Sequence, residues 1–192
     1  MKSILCWTKI VTILFISNIA FTACSLDDSL EVALPNVEIQ EIFGNYFGQM
    51  TTQQEHRQYM RPATFKVQEN QIVFDNLNVE EIIASIESSD LTGKPIELQS
   101  KVAYDLDFQA NLNETKTAVV LSFIPVDLFF EVLQGGEYKR VEVEIEANVK
   151  GVYQGLSRTI SFEFKVKNIL FDGTEITPFE LISYSFPTFV KR

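Results

Sequence analysis

The chain has 192 residues, with 26 acidic side chains against 16 basic ones and a formal net charge of −10. Such a surface repels phosphate backbones and anionic lipid headgroups, so the composition argues against nucleic acid as a partner. The length accommodates one domain with a substantial core and is short for two.

The beginning of the chain predicts an export signal. Lys2 and Lys9 precede an apolar-to-neutral run over residues 10–23. A membrane-spanning helix needs about 20 apolar residues, so this run is too short to span and is typical of a signal peptide that is removed. An ordinary cleavage site after Ala23 would place Phe21 where a small residue is required.

The segment Phe21-Thr22-Ala23-Cys24 resembles the lipobox of bacterial lipoproteins, which accepts a bulky apolar residue at its first position. The resemblance implies that residues 1–23 are removed and that Cys24 becomes a lipid-bearing N-terminus. Because more than one acyl chain gives stable attachment, Cys24 would hold the domain on a membrane. Plain secretion with a free Cys24 and an uncleaved anchor are the alternatives.

Two short patterns follow the cysteine. The tetrapeptide Ser25-Leu26-Asp27-Asp28 resembles the acidic export tags of Bacteroidota lipoproteins, which implies sorting to the outer face of the outer membrane. The overlapping Asp28-Ser29-Leu30 resembles the O-glycosylation site of the same phylum, with Ser29 as the acceptor. A merely solvated tether is the alternative for both, and residues 24–36 predict a flexible acidic tether.

Residues 37–192 predict a single domain in which strands dominate. Alternation of period two runs through residues 98–110 and again through residues 141–149, with polar side chains on the opposite face. A third run, residues 160–166, carries outward lysines, and we expect these to pair with the outward glutamates of the second run across a loop at 151–155.

A hairpin and a helix are predicted before these runs. Residues 65–74 alternate around a polar Glu69-Asn70 turn, which is typical of a hairpin. Asn78 then predicts an N-cap, with Glu81 three residues on, for a short amphipathic helix that packs on the sheet. Its apolar face is formed by Val79, Ile82, Ile83 and Ile86.

Further strand and turn signals appear later in the chain. The apolar runs 118–124 and 126–132 flank Pro125 and predict either strands buried on both faces or one bent strand. Alternation slips by one residue at Asn168, which predicts a β-bulge before an Asp172-Gly173 turn. The predicted fold class is therefore mostly β, an antiparallel β-sandwich or a partly closed barrel with one short amphipathic helix.

The segment Gly44-Asn45-Tyr46-Phe47-Gly48 opens this domain and resembles the Gly-x-Tyr-x-Gly start of calycin-like and related lipoproteins of Bacteroidota. Together with the strand-to-helix step at 74–86, the element at 151–153 and the turn at 171–173, it makes most of the mature chain similar to an uncharacterised family of such lipoproteins. The resemblance implies a calycin-like barrel and no catalytic residue. Physically, Gly44 and Gly48 permit a turn and a close strand approach.

Residues suited to chemistry are few. His56 is the sole histidine of the sequence, so no histidine pair can bind zinc. Ser157 lacks the second glycine of a nucleophile elbow. Asp105 and Asp107 share a strand face, but calcium takes about six to eight oxygens and no suitable loop surrounds them. We therefore predict no enzymatic activity, no cofactor and no metal site.

The sequence favours a non-enzymatic lipoprotein of the bacterial outer membrane that acts as a binding or interaction module. Expected partners are the membrane, through the N-terminal lipid, and a glycan, a small apolar ligand or an envelope protein. A calycin-like carrier is one alternative and predicts an apolar cavity. A surface adhesion or fimbrial accessory protein is another and predicts docking through an exposed sheet edge. Side chains that would line the carrier cavity include Tyr46, Phe65, Tyr104 and Phe108.

Overall fold

A computed structural model describes residues 35–89 and 94–192. The buried apolar side chains of these residues form one continuous core cluster. The features predicted for the first 34 residues, which include the lipobox and Cys24, lie outside the described residues. Across the part of the chain that is described, no helix has the length and apolar character that a membrane crossing requires.

The described residues form a 3-10 turn at Ile39–Ile42, one α-helix and twelve strands. The elements up to the helix are β1 (Gly44–Gln54), β2 (Arg57–Gln68), β3 (Gln71–Phe74) and α1 (Glu80–Glu87). The strands after it are β4 (Ile96–Leu98), β5 (Tyr104–Leu112), β6 (Ala118–Ile124), β7 (Leu128–Gln134), β8 (Glu137–Glu146), β9 (Gly151–Gln154), β10 (Thr159–Phe171), β11 (Thr174–Glu175) and β12 (Ile182–Lys191).

Eight strands close into an antiparallel barrel. Their order is β12, β1, β2, β3, β5, β6, β9 and β10, and β10 pairs again with β12. Closure of this kind removes the free edges of a sheet and aims alternate side chains into the interior. The predicted calycin-like barrel is therefore confirmed, and the sandwich alternative is not the fold.

The remaining strands extend the sheet beyond the barrel. The last part of β10 leaves the barrel and pairs with β8, which continues to β7 and β4. The runs on either side of Pro125 form two separate strands rather than one bent strand: β6 pairs with β5 and β9, while β7 pairs with β8 and β4. The predicted bulge is confirmed as a register shift between Val166 and Asn168.

Two strand predictions were wrong. The run 98–110 is divided, because Leu98 pairs with Val132 in the extension while Tyr104 pairs with Phe74 in the barrel wall. The predicted loop at 151–155 is instead mostly β9, which lies between β6 and β10. A side chain at Gly151 would meet the ring of Phe123 at 2.7 Å, so a glycine lets β9 fit there.

Helix α1 lies beside a stretch of β2 that lacks a second strand. The β2 strand pairs with β1 from Arg57 to Val67 but with β3 only from Lys66 to Gln68. The predicted apolar face is confirmed, since Val79, Ile82 and Ile86 are buried. A helix of eight residues is too short to be stable in isolation, so this packing holds it in place.

Aromatic rings pack the interior of the barrel. Phe65 lies between 5.0 and 6.0 Å, centroid to centroid, from five other rings, and Phe162 stacks on Phe186 at 4.4 Å. Such pairs stabilise a core beyond their buried area. The five rings around Phe65 are Tyr46, Phe74, Phe162, Phe186 and Phe189.

Candidate functional site at the helix end of the barrel

The interior of the barrel changes from apolar to polar along β1. Tyr46 and Met50 are inward and apolar, whereas the next inward residues toward the β1–β2 turn are Thr52 and Gln54. Period-two geometry aims all of them into the barrel. Thr52 and Gln54 are 0 % and 4 % exposed, so β1 carries buried polar groups to this end.

Helix α1 contributes two more buried polar side chains. Glu81 and Ser85 are four residues apart and therefore lie on the same helix face. Gln54 Nε2 donates a hydrogen bond to Ser85 Oγ at 2.9 Å, and Ser85 Oγ donates to the Glu81 carbonyl oxygen at 2.9 Å. The first of these bonds joins α1 to β1.

A partly buried ion pair joins α1 to β2. The Arg61 guanidinium lies 2.7 Å from Glu81 Oε1 and 2.7 Å from Glu80 Oε2. A carboxylate as buried as that of Glu81, at 3 % exposure, needs such a partner. The second oxygen, Glu81 Oε2, has no hydrogen-bond partner among the described residues.

Two buried hydroxyls complete this region. Thr52 and Tyr184 are direct cross-strand partners on β1 and β12, and neither hydroxyl has a hydrogen-bond partner among the described residues. Burial raises the pKa of the Tyr184 hydroxyl, the Glu81 carboxylate adds to the rise, and the Arg61 guanidinium opposes it. We call the following six residues the polar layer: Thr52, Gln54, Arg61, Glu81, Ser85 and Tyr184.

A cleft of about 390 Å³ opens beside the polar layer, within the range of about 300 to 1,000 Å³ that is usual for ligand sites. It lies between the β1–β2 turn, α1 and the segment before β12. An ion pair with 2.5 Å between Arg57 Nη2 and Glu180 Oε2 flanks it. We call this the helix-end cleft; its lining includes Gln54, Arg57, Ser85, Ser88, Phe179 and Glu180.

A second depression, of about 290 Å³, lies on the outer surface of β1 and β2. The Arg192 guanidinium covers the Phe47 ring there at 4.3 Å. The four buried polar or charged residues of the described structure are Thr52, Gln54, Glu81 and Ser85, and none of them lines this depression. The helix-end cleft is therefore the stronger candidate for a site.

A family model described as a domain of unknown function, DUF4840, matches residues 41–171, which is more than half of the chain. The chain belongs to the DUF4840 family. No curated protein and no solved structure matches it. In this DUF4840 protein the match ends with β10, so Tyr184 follows the matched span while the other five residues of the polar layer lie within it. The expectation of an uncharacterised family is confirmed.

The structure separates the candidate catalytic residues of the DUF4840 chain. His56 is exposed in the β1–β2 turn, between two residues that line the helix-end cleft, Glu55 and Arg57. Ser157 is exposed in the turn before β10, and its hydroxyl lies 2.7 Å from that of Thr159. These side chains do not converge on one another.

The two strand aspartates have ordinary surroundings. Asp105 is exposed, and Asp107 Oδ1 accepts a hydrogen bond from Gln71 Nε2 at 2.8 Å. Within residues 35–89 and 94–192, no group of three or more histidine, cysteine, aspartate or glutamate side chains is placed to hold a metal ion. The arrangement is that of a polar strand face.

The four side chains predicted to line a carrier cavity are all buried, but they pack against other groups. Tyr46 stacks on Phe65 at 5.3 Å, and its hydroxyl donates to the Ile42 carbonyl oxygen at 2.7 Å. The Tyr104 ring lies 5.8 Å from that of Phe164. Phe108, the fourth, is 1 % exposed.

The predicted lipidation, sorting and glycosylation residues of the DUF4840 chain lie outside the described residues. They are Phe21, Thr22, Ala23, Cys24, Ser25, Asp27, Asp28 and Ser29.

Sequence reasoning missed the polar layer, although a signal for it exists. In β1 the inward alternation that begins with Tyr46 and Met50 ends in Thr52 and Gln54, so polar residues occupy core positions. The predicted N-cap at Asn78 was wrong by one residue, since the N-cap of α1 is Val79 and makes no side-chain capping bond. Asn78 Oδ1 accepts the Glu80 backbone N–H at 3.2 Å, and the Glu81 carboxylate accepts a hydrogen bond from Arg61.

Proposed function

We propose that this DUF4840 protein is a non-enzymatic binding module of the bacterial cell envelope, anchored to the outer membrane through a lipid on Cys24. Its ligand binds at the helix-end cleft. One observation carries the site proposal: the buried polar side chains of the described structure gather beside this cleft, whereas the rest of the interior is apolar. Convergent polar groups in a concave pocket are the usual mark of a ligand site.

The packing of the barrel favours surface binding over internal transport. A carrier of an apolar ligand needs interior space, and here Phe65 contacts five rings across the interior. The adhesion alternative needs a long free edge. The terminal strand β4 has three residues, and α1 lies beside the part of β2 that has no second strand. A short edge offers few backbone groups to a partner strand.

The charged groups of the site support binding rather than catalysis. Glu180 is paired with Arg57, and Glu81 is paired with Arg61. General acid-base work is typically done by a group that is free to exchange a proton with the substrate. These pairs instead fix side chains in place, which suits recognition.

The proposed anchor rests on the segment Phe21-Thr22-Ala23-Cys24 and on the acidic residues after it. In this proposal the tether predicted over residues 24–36 links the lipid to the domain, and as a flexible chain it would reach about 20 Å. Because the chain carries a net charge of −10, anionic headgroups repel it and the lipid supplies the attachment.

Metabolic labelling with a palmitate analogue tests the anchor. We expect the wild-type chain to incorporate the label and the Cys24→Ala variant to be unlabelled, since the acyl chains depend on the cysteine sulfur. Protease added to intact cells then reports surface exposure. A mature protein that keeps a free Cys24 thiol, or that starts at another residue in mass spectrometry, would contradict the proposal.

A further inference from the structure

We propose that the polar layer and the helix-end cleft form one recognition site for a neutral, polyhydroxylated ligand of the sugar class. Ligand hydroxyl groups bond to Thr52, Glu81 and Tyr184. The inference rests on the proposed function and deepens it by naming the class of ligand and the atoms that recognise it.

Three buried polar atoms carry the inference. Thr52 Oγ1, Glu81 Oε2 and Tyr184 Oη have no hydrogen-bond partner among the described residues, although all three side chains are nearly or fully buried. Buried polar groups are almost always paired, and an unpaired one is costly. Three unpaired polar atoms at one end of the barrel offer hydrogen-bonding groups to a polar ligand.

The chemistry of these atoms selects a neutral hydroxyl compound. A carboxylate oxygen only accepts hydrogen bonds, whereas the hydroxyls of Thr52 and Tyr184 both donate and accept. A ligand hydroxyl can donate to Glu81 and still accept from its neighbours. A cation would meet the Arg61 guanidinium, which already pairs with Glu81, and an anion would meet the Glu81 carboxylate and a chain of net charge −10.

The outer residues of the polar layer, Gln54 and Ser85, line the cleft. Thr52 lies two residues before Gln54 on the same face of β1, about 7 Å further into the barrel at the usual rise of a strand. Glu81 lies one helical turn, about 6 Å, from Ser85. The hydrogen bond between Gln54 and Ser85 therefore separates the cleft from the inner atoms, and its two neutral partners can exchange that bond for bonds to a ligand.

The cleft itself has groups suited to a sugar. Phe179 is half-buried and packs against the core, so its ring is a fixed apolar surface for the C–H groups of a pyranose. Arg57 and Glu180 present planar polar groups, and their pairing keeps the rim close to neutral. Small-molecule sites usually combine an apolar surface with a few fixed polar groups.

Calorimetric titration of the full chain, purified in detergent, tests the inference. The probes are the methyl glycosides of glucose, galactose, mannose and N-acetylglucosamine, with glucosamine and glucuronate as charged counterparts. We expect at least one neutral glycoside to bind and the charged probes to bind more weakly. Binding of none of the four glycosides at millimolar concentration overturns the sugar assignment, while the palmitate labelling of Cys24 still decides the anchor.

Two variants each eliminate one hydroxyl: Tyr184→Phe removes it, and Thr52→Val replaces it with a methyl group. Each should lower the affinity for the bound glycoside about fivefold, because one hydrogen bond is lost. The melting temperature without ligand should stay the same or rise, since an unpaired buried hydroxyl is removed. Tyr138→Phe, at an exposed tyrosine, is the matched control and should change neither quantity.

If the polar layer only stabilises the fold, its variants should change the melting temperature and not the glycoside affinity. A lower melting temperature of Tyr184→Phe with unchanged glycoside affinity would overturn the inference. If Phe179→Ala abolishes glycoside binding while Tyr184→Phe and Thr52→Val leave it unchanged, the cleft binds the sugar without the polar layer. That outcome overturns this inference and leaves the proposed function standing.

Discussion

At the scale of single residues, Gly48 determines how closely β12 can approach β1. A Cβ atom at this position would lie 2.7 Å from the Thr188 carbonyl oxygen and 2.9 Å from the Phe189 ring. The sequence predicted a close strand approach at Gly48, and the structure confirms it. The prediction was accessible because a glycine in an alternating strand commonly marks such an approach.

Replacement of this glycine should therefore destabilise the barrel. We expect Gly48→Ala to lower the free energy of unfolding by about 2 kcal/mol, because the added methyl group meets backbone and a packed ring. Urea unfolding measures the change. Gln49→Ala, at the exposed neighbouring position of β1, should stay within about 0.5 kcal/mol of the wild type. Equal stabilities of the two variants would contradict the close approach.

Other residues acquired roles that local patterns do not reveal. Asn113 begins an Asn-x-Thr pattern, and in the structure its side chain organises the β5–β6 turn. Asn113 Oδ1 accepts the backbone N–H groups of Thr117 and Ala118 at 2.8 and 3.0 Å. Asparagine is favoured in turns because its side chain bonds nearby backbone in this way.

At the scale of elements, helix α1 depends on contacts that are distant in sequence. Its apolar spacing predicted its position and its buried face, since both follow from the 3.6-residue period. Its polar contacts could not be predicted in this way. Arg61 lies 20 residues before Glu81 and meets it only after β2 and α1 have packed side by side.

Removal of the arginine should destabilise this packing. We expect Arg61→Met to lower the free energy of unfolding by about 3 kcal/mol, because it leaves the Glu81 carboxylate buried without a counter-charge. Urea unfolding again measures the change. The double variant Arg61→Met with Glu81→Gln carries no buried charge and should recover part of the loss. A single variant as stable as the wild type would show that Glu81 does not need Arg61.

The strand predictions also failed where the structure depends on contacts that are distant in sequence. Alternation reports which face of a strand is buried, and it does not report which strand lies beside it. The run 98–110 therefore predicted one strand, although its two ends pair with different parts of the sheet. Gly151 predicted a loop, although its lack of a side chain lets β9 fit beneath Phe123.

At the scale of the whole molecule, closure and the candidate site both depend on long-range pairing. Strand β12 closes the barrel against β10 and β1, and it also brings Tyr184 opposite Thr52. The helix-end cleft is built from residues 54–57, 84–88 and 178–180. Alternation alone left sandwich and barrel open, because local periodicity is the same in both. Local periodicity also does not show which distant segments come together, so it did not predict the site.

The buried tyrosines of the barrel should make the fold sensitive to alkali. Burial raises the pKa of the Tyr46, Tyr104 and Tyr184 hydroxyls above the ordinary value of 10.0. The unfolded chain ionises first, so the stability that these groups contribute is fully present below about pH 10 and is lost as pH rises toward the raised pKa. Each tyrosine contributes a slope of about 1.4 kcal/mol per pH unit.

Urea unfolding between about pH 9 and about pH 12 measures this slope. Tyr184→Phe should make the loss of stability shallower by about 1.4 kcal/mol per pH unit, because one buried group no longer resists ionisation in the folded state. Tyr138→Phe, at a tyrosine that is 66 % exposed, is the matched control for the loss of a tyrosine hydroxyl. If Tyr184→Phe also keeps that slope, the Tyr184 hydroxyl reaches solvent in the folded protein and the polar layer is open to water.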